Sequence, residues 1–444
     1  MFNIFEGLMK PTASGDLIPA VASDVTVSED GLTYVFTLRQ GLTFHNGDPV
    51  EMRDVVFSIE RNRDTSSGTA LIPALSVIEN IEYSDDKLTL TLSEPMAELL
   101  NFLTLAILPQ DYTEAGKQDT QPVGVGPYRF VSRTAQDSIV FERFEDYWGT
   151  PGKLDRVTFR IIENVEGLIQ GLQSGALDLV MHMTATQTSQ LSSDQFYIEE
   201  GSMNLVQALY LNNAEAPFDD VRVRQALSYA IDKRGIIDLA FDGYGIPLGT
   251  SMFPSFSKYY DESLTDYYPV DTEKAKELLA EAGYPDGLDM TITVPANYQP
   301  HVDAAQVISE QLKAINVNVT IKSVEWQTWL SEVYSDRNFQ STITGLTSDN
   351  MTASKLLSRF ETNAGNNFTN YSNADYDALW AKASSCPDDA EQTELYRAME
   401  RNLTENAANV YIQDMADLVA IRKGLTGLTF YPLYVLDVST LCWE

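Results

Sequence analysis

Alternation of apolar and polar positions predicts strands in the first 160 residues. Residues 32–38 alternate at a period of two between Gly31 and Gly41, and residues 88–92 repeat the pattern. Such a period places one set of side chains on one face of a sheet. Between these segments, residues 49–61 carry apolar side chains at helical spacing, which predicts an amphipathic helix. The N-terminal part is therefore predicted to be mainly β.

Two later regions predict strand–helix–strand units. In the first unit the pattern predicts a strand at 157–162, a helix at 165–173 and a strand at 177–181. In the second unit it predicts a strand at 290–294, a helix at 303–315 and a strand at 317–321. Asn164 is placed to cap the first helix and Gly175 to end it. The strands of each unit are expected to be parallel, with a right-handed crossover.

The remaining pattern completes two lobes. It predicts helices over 221–237 and 272–282, the second with Asp271 as N-cap and Gly283 just after its end, and a last strand-like segment over 430–438. No long Gly/Ser linker separates the two strand–helix–strand units. Two α/β lobes joined directly by strands are expected to form a cleft with a hinge.

Composition and charge limit the classes of function that are compatible with the sequence. The 444 residues contain 44% hydrophobic side chains, 30 Lys and Arg, and 64 Asp and Glu, giving a formal net charge of -34. This sign disfavours nucleic acid and anionic headgroups and favours zwitterionic or cationic solutes. No apolar run reaches the ~20 residues that a transmembrane helix needs, and no signal peptide is visible at the start. The two cysteines, Cys386 and Cys442, are compatible with one disulfide or with two separate thiols.

Catalytic motifs are missing from the sequence. The three histidines, His45, His182 and His301, lie far apart, and no serine-nucleophile elbow, phosphate-binding loop or dinucleotide fingerprint is present. A glycosidase that uses two carboxylates is the strongest enzymatic alternative, but 64 acidic residues make chance pairs certain. The pattern therefore predicts a non-enzymatic protein without a cofactor or a metal.

Several stretches resemble family 5 of the bacterial solute-binding proteins, which serve peptide, nickel and related ABC importers. Residues 5–8 read FEGL, residues 30–50 read DGLTYVFTLRQGLTFHNGDPV, and residues 124–130 read GVGPYRF. Residues 146–149 read DYWG, and residues 217–232 read PFDDVRVRQALSYAID. All of them resemble motifs of that family, in the same order along nearly the whole chain.

The resemblance implies an α/β fold of the two-lobed, periplasmic-binding-protein type (type II, cluster C) with an extra mainly β subdomain. Lobe I would comprise residues 1–8, 123–204 and 417–444, the β-rich subdomain residues 9–122, and lobe II residues 205–416. Residues 204–212 and the segment around Met415 would be the two crossings between the lobes. Members usually carry a signal peptide or a lipid-anchoring cysteine before the FEGL stretch, so a precursor with a signal segment, either secreted or lipid-anchored, is expected.

The resemblance also implies a set of ligand-binding residues. Residues 345–349 read GLTSD and occupy the place of a family GWxxD segment, so Asp349 resembles the anchor for a ligand ammonium group, with Gly345, Leu346 and Thr347 beside it. Trp326 resembles an aromatic that lines the pocket, although a place in the core is an equally good reading. The further candidates are Asn297, Tyr298, His301, Phe5, Glu6 and Gly7. His301 is a candidate partner of the ligand carboxylate. An arginine that often binds this carboxylate in the family has no counterpart at the corresponding place in this sequence.

The function implied is that of an extracellular or periplasmic receptor. It would close its lobes on a small solute, most simply a short peptide, and deliver it as a monomer to ABC permease subunits. A receptor for a nickel chelate, an oligosaccharide or another solute is the alternative within the family.

Overall fold

The computed structural model describes residues 2–66, 68–162, 164–348 and 350–444. The chain forms two compact units. Unit 1 contains residues 1–199, 385–389 and 418–444, and unit 2 contains residues 200–384 and 390–417.

Unit 1 begins with a β-rich region. Its strands are β1 (Met9–Pro11), β2 (Leu17–Pro19), β3 (Ala22–Val27), β4 (Thr33–Leu38), β5 (Ile78–Tyr83) and β6 (Lys87–Leu92). Strands β3–β4–β6–β5, in that order, form an antiparallel sheet. Every second residue of β4 and of β6 is buried, as the alternation predicts. Helix α1 (Met52–Arg63) packs Val55 and Ile59 into the same core, and the short helices α2 (Leu99–Phe102) and α3 (Gln110–Glu114) follow.

The rest of the N-terminal part of unit 1 is a three-stranded antiparallel sheet followed by a helix and a strand. The elements are β7 (Tyr128–Thr134), β8 (Ser138–Arg143), β9 (Arg156–Arg160), α4 (Val165–Ser174), β10 (Leu179–Met183) and α5 (Ala185–Thr188). The side chain of Asn164 accepts a hydrogen bond from the amide of Gly167, and Gly175 ends α4 with a φ of 81°. Both predicted caps of this helix are confirmed.

Unit 2 is a mixed sheet covered by helices. Its strands are β11 (Phe196–Leu211), β12 (Ile246–Pro247), β13 (Leu288–Pro295), β14 (Val317–Val324), β15 (Ser341–Leu346) and β16 (Asn409–Arg422). Its helices are α6 (Val221–Ala230), α7 (Lys233–Ala240), α8 (Thr272–Glu281), α9 (Gln299–Leu312), α10 (Trp326–Thr328), α11 (Ala353–Leu357), α12 (Ala374–Ala383) and α13 (Asp389–Glu405). A π-helical segment, Trp329–Ser335, continues from α10, and a 3₁₀ turn, Ser358–Phe360, continues from α11.

The strand order in unit 2 is β16–β11–β15–β13–β14. Strand β13 is parallel to both β14 and β15, whereas β11 and β15 are antiparallel. The second strand–helix–strand unit is confirmed, since α9 connects β13 to β14 and these two strands pair in parallel over eight residues. Strands β11 and β16 begin in one unit and end in the other, so they carry the chain between the units. Two short strands, β17 (Leu425–Thr426) and β18 (Cys442–Trp443), pair near the C-terminus.

Three expectations from the sequence are wrong in detail. The strands of the first strand–helix–strand unit are not partners, because β9 pairs with β8 and β10 pairs antiparallel with β16. The helix predicted over 221–237 is two helices, because Asp232 accepts a hydrogen bond from the amide of Gly235 and starts a new one. Residues 430–438 contain only a bridge between Tyr431 and Leu433, where Pro432 has no amide hydrogen to donate.

Candidate functional site

The carboxyl ends of three neighbouring parallel strands meet at one edge of the unit 2 sheet. Asn297, Tyr298 and His301 follow β13, Trp326 follows β14, and Gly345 lies near the end of β15. Ligands of open α/β sheets bind outside such ends, because the loops there converge. Asp349, the predicted ammonium anchor, lies outside the described residues.

A row of aromatic rings runs along this edge. We define the aromatic row as Tyr298, Trp326, Trp329 and Tyr334. The ring centroids of Tyr298 and Trp326 are 5.2 Å apart, those of Trp326 and Trp329 are 5.0 Å apart with an interplanar angle of 4°, and those of Trp329 and Tyr334 are 6.2 Å apart. Tyr298 is 43% exposed, Trp326 and Tyr334 are partly buried, and Trp329 is buried, so the row is most buried at Trp329.

Hydrogen bonds fix the inner tryptophan. The indole Nε1 of Trp329 donates to the hydroxyl of Thr342 over 2.9 Å, and that hydroxyl donates to the carbonyl of Thr293 over 2.7 Å. Trp326, stacked on this anchored ring, is only partly buried. An aromatic face that is held rigidly at a strand end is suited to packing against an apolar or cationic group of a solute.

His301 is buried in the first turn of α9. Its Nδ1 lies 2.9 Å from the side-chain nitrogen of Gln207, which is a donor, so the ring proton resides on Nε2. Burial lowers the pKa of His301 to about 4, which makes the imidazole neutral at pH 7. The ring therefore carries a neutral N–H donor and no positive charge.

Gln207 was not singled out in the sequence, although it joins three of the elements at this edge. Its amide nitrogen reaches His301, and its oxygen accepts a hydrogen bond from Gln413 over 2.9 Å. It lies on β11 opposite Gly345 of β15. A polar residue within the otherwise apolar run 205–211 was the signal that could have identified it.

The three other candidates near β15 have different surroundings. A Cβ atom on Gly345 would lie 2.3 Å from a methyl group of Leu205, so close packing against β11 accounts for this glycine. Leu346 is partly buried and pairs with Val206, whereas Thr347 is exposed just beyond the strand. The side chain of Leu205 therefore covers the Cα of Gly345.

Phe5, Glu6 and Gly7 lie in unit 1. The buried carboxylate of Glu6 accepts hydrogen bonds from Tyr147 over 2.7 Å and from the indole of Trp148 over 2.6 Å. Both partners belong to the DYWG motif, so the FEGL and DYWG motifs bind each other. Together, Phe5, Glu6 and Gly7 line a cavity of about 40 Å³. Their roles in ligand binding stay predictions.

Another histidine holds two motifs of unit 1 together. Nδ1 of His45 accepts from the amide of Gly124 over 3.2 Å, and Nε2 lies 2.9 Å from the carbonyl of Gly126. Burial lowers the pKa of His45 to about 4. This neutral ring connects the HNGDPV and GVGPY stretches, and its hydrogen bonds explain why a histidine stands there.

A buried carboxyl group lies where the two connecting strands run side by side. Asp414 of β16 is fully buried and accepts hydrogen bonds from the amide of Leu205 over 3.0 Å and from the hydroxyl of Ser202. Burial raises its pKa to about 7. Both partners are about 210 residues away in sequence, so no local pattern could have indicated this contact.

Metal binding and membrane spanning are the two remaining properties to consider. No group of three or more His, Cys, Asp or Glu side chains is arranged to hold a metal ion in the part of the chain that the structure describes. None of the helices within those same ranges has the length and apolar character needed to cross a bilayer. In the described chain Cys386 and Cys442 are not joined by a disulfide, and the thiol of Cys386 donates to the carbonyl of Asp388 over 3.4 Å.

Comparisons with known proteins agree with these observations. Residues 16–368 match the model of the bacterial extracellular solute-binding proteins, family 5. Heme-binding protein A of Haemophilus influenzae is 31% identical, over 86% of this chain and 76% of its own length. Glutathione-binding protein GsiB of Pectobacterium atrosepticum is 29% identical over 97% and 86% of the two chains. The dipeptide-binding protein of Escherichia coli is 26% identical over 94% and 84%.

A solved structure extends the similarity to the fold. HbpA2 of Haemophilus parasuis superposes with a TM-score of 0.88, and the match covers 100% of this chain and 94% of that one at 24% identity. The fold class expected from the resemblance is confirmed. Because the family model covers most of the chain, this protein belongs to the family 5 bacterial extracellular solute-binding proteins of ABC importers.

Proposed function

We propose that this protein is a receptor, without enzymatic activity, that captures short peptides outside the cytoplasmic membrane and delivers them to an ABC permease. The observation that carries the proposal is the aromatic row beside Gln207 and His301 at the carboxyl ends of β13, β14 and β15. Named relatives that bind glutathione or a dipeptide support a peptide as the ligand.

The chemistry of the edge suits the main chain of a peptide. The amide nitrogen of Gln207 bonds to His301 and to the carbonyl of Pro300 and so orients the imidazole ring, whose Nε2–H group would be a neutral hydrogen-bond donor to the peptide. Trp326 and Tyr298 supply flat surface for a side chain without selecting its shape. Asp349 is the proposed anchor for the peptide ammonium group. Water would fill space that small side chains leave.

The mechanism that we propose is closure of the two lobes on the solute. Differential affinity for the closed form would shift the equilibrium between open and closed chains. We expect the radius of gyration from small-angle X-ray scattering to decrease when peptide is added, and an unchanged radius at saturation would contradict closure.

A direct test identifies the ligand and the surface that binds it. We expect mass spectrometry of material that copurifies with the protein to detect short peptides, and titration calorimetry with dipeptides to give heat. Trp326→Ala should weaken peptide binding about tenfold, because it removes the exposed aromatic face. Trp443→Ala, which removes a half-exposed tryptophan of unit 1, is the matched control and should change nothing. Binding of heme, a nickel chelate or a sugar with no response to dipeptides would contradict the peptide proposal.

A further inference from the structure

A groove in unit 1 is large enough to hold a ligand. Its volume is about 700 Å³, within the ~300–1,000 Å³ that ligand clefts usually have. Residues 129–133 of β7 line it, together with the segment 120–123 and Tyr112 of α3. We call it the β7 groove. Of the residues proposed for solute binding, none that the structure describes lines this groove, so it is a separate candidate site.

The β7 groove contains an unpaired edge of a sheet. β7 is an outer strand of the sheet β7–β8–β9 and pairs with β8. Just before the groove another segment covers the opposite edge, since the amide of Gly126 donates to the carbonyl of Ile4 over 2.8 Å. The amide of Tyr128 donates to the carbonyl of Asn3 over the same distance. Beyond Tyr128, no other segment of the described chain pairs with this edge, so the backbone of 129–134 can accept a further strand.

The side chains at the groove are basic, although the chain as a whole is strongly acidic. Arg129 and Arg133 line it, and among the described lining residues Glu142 is the single carboxylate. Glu142 binds Arg129 over 2.7 Å and lies opposite Arg156 of β9 on its other side. Within the described ranges, no carboxylate forms an ion pair with the exposed Arg133. On a chain with a net charge of -34, this groove is a local excess of positive charge.

We propose that the β7 groove binds an extended, acidic segment of a partner protein, which adds a fourth strand to the sheet beside β7. Main-chain hydrogen bonds to the free edge would hold the segment, and its carboxylates would pair with Arg129 and Arg133. Val131, which bulges out of the strand and is 37% exposed, would contact an apolar side chain of the partner. A second copy of this chain is a poor occupant, because pairing β7 with β7 would bring like charges together.

Binding of a model peptide tests the role of charge. Fluorescence anisotropy is measured in about 150 mM NaCl with a rhodamine-labelled, end-blocked peptide of about eight alternating Glu and Val residues. We expect Arg133→Glu to weaken its binding about fivefold or more. Arg160→Glu, the same charge change at an exposed residue of β9 that does not line the groove, is the matched control and should leave the affinity within about twofold.

Three outcomes of this experiment would overturn the proposal. One is that the wild type does not bind the acidic peptide. Another is that R133E and R160E weaken binding equally, which would mean that the overall charge of the protein decides. The third is that a peptide with Gln in place of Glu binds as tightly as the acidic one.

Hydrogen exchange tests the added strand. With the acidic peptide bound, we expect amides within 129–134 to exchange about tenfold more slowly or less, because strand pairing protects them. Amides of β9, the other outer strand of the sheet, should exchange at an unchanged rate. A fully N-methylated acidic peptide lacks main-chain donors and should bind about fivefold more weakly or less. Equal binding of the methylated peptide, or protection confined to other elements, would contradict strand addition.

Two controls separate this groove from the solute site and from self-association. We expect Trp326→Ala, and an excess of alanyl-alanine, to leave the affinity for the acidic peptide unchanged within about twofold. Displacement by the dipeptide, or loss of binding in W326A, would overturn the groove as the binding site. Light scattering that detected dimers of the wild type and monomers of R133E would replace the partner protein by a second copy of this chain. Because these readouts need no bound solute, they hold whether or not the protein captures peptides.

Discussion

At the scale of single residues, Asp414 is a carboxyl group that the sheet of unit 2 holds away from water. It connects β16 to β11 through Leu205 and Ser202, close to the positions where both strands pass into unit 1. Its raised pKa means that the folded chain binds this proton more tightly than the unfolded chain does. The stabilising effect of the bound proton is therefore complete below pH 4 and lost as pH rises to about 7.

We expect Asp414→Asn to abolish this dependence. The asparagine oxygen can accept from Leu205, and its nitrogen can donate to the hydroxyl of Ser202, so the contacts persist without a proton to lose. The free energy of unfolding of D414N relative to wild type should rise between pH 4 and pH 8, by on the order of 1.4 kcal/mol for each unit of pKa shift. Urea denaturation across this range checks it.

The exposed Asp286→Asn provides the control and should run parallel to the wild type. If D414N also ran parallel to the wild type from pH 4 to pH 8, the raised pKa of Asp414 would be wrong.

At the scale of elements, the sequence pattern predicted those helices, strands and caps that interactions between neighbouring residues determine. The second strand–helix–strand unit and the caps Asn164, Asp271 and Gly283 were predictable, because periodicity and caps depend on neighbouring residues. The partners of β9 and β10 were not, because β16, which pairs with β10, lies more than 220 residues later.

The candidate site was predictable to a similar extent. Tyr298, Trp326 and His301 follow strands that the pattern predicted, and parallel pairing brings them together. Gln207 was not predicted, because its significance depends on burial and on partners distant in sequence. Whether a polar group is buried depends on the assembled sheet, and the spacing of residues along one sequence does not reveal it.

The loop that precedes β7 provides a test of packing between elements. A Cβ atom on Gly124 would lie 2.2 Å from the carbonyl oxygen of Ile4, a backbone atom that cannot move without displacing its segment. We expect Gly124→Ala to lower the free energy of unfolding by about 2–3 kcal/mol. Gly365, which has open space around its Cα, is the matched control, and G365A should be neutral within about 0.5 kcal/mol. Equal stability of the two variants in urea denaturation would contradict this packing.

At the scale of the whole molecule, the dominant property is the net charge of -34. Like charges on a folded chain repel each other and oppose compaction. Raising the NaCl concentration from about 10 to about 150 mM shortens the screening length from about 30 to about 8 Å. We therefore expect the Tm to rise by about 2 °C or more over this range.

Screening acts on the entire surface, so the rise should depend on ionic strength and not on the identity of the monovalent salt. A Tm that stayed unchanged over this range would contradict the role of like-charge repulsion.

The parallel stacking of Trp326 on Trp329 has a practical consequence. The outer indole is partly exposed, and the inner indole is held by its hydrogen bond to Thr342. A molecule that settles on the outer ring displaces water from the chromophore and shifts its emission to shorter wavelength. The protein therefore carries an intrinsic fluorescent reporter at the surface where we expect its cargo, and stopped-flow mixing can follow arrival and release without a label.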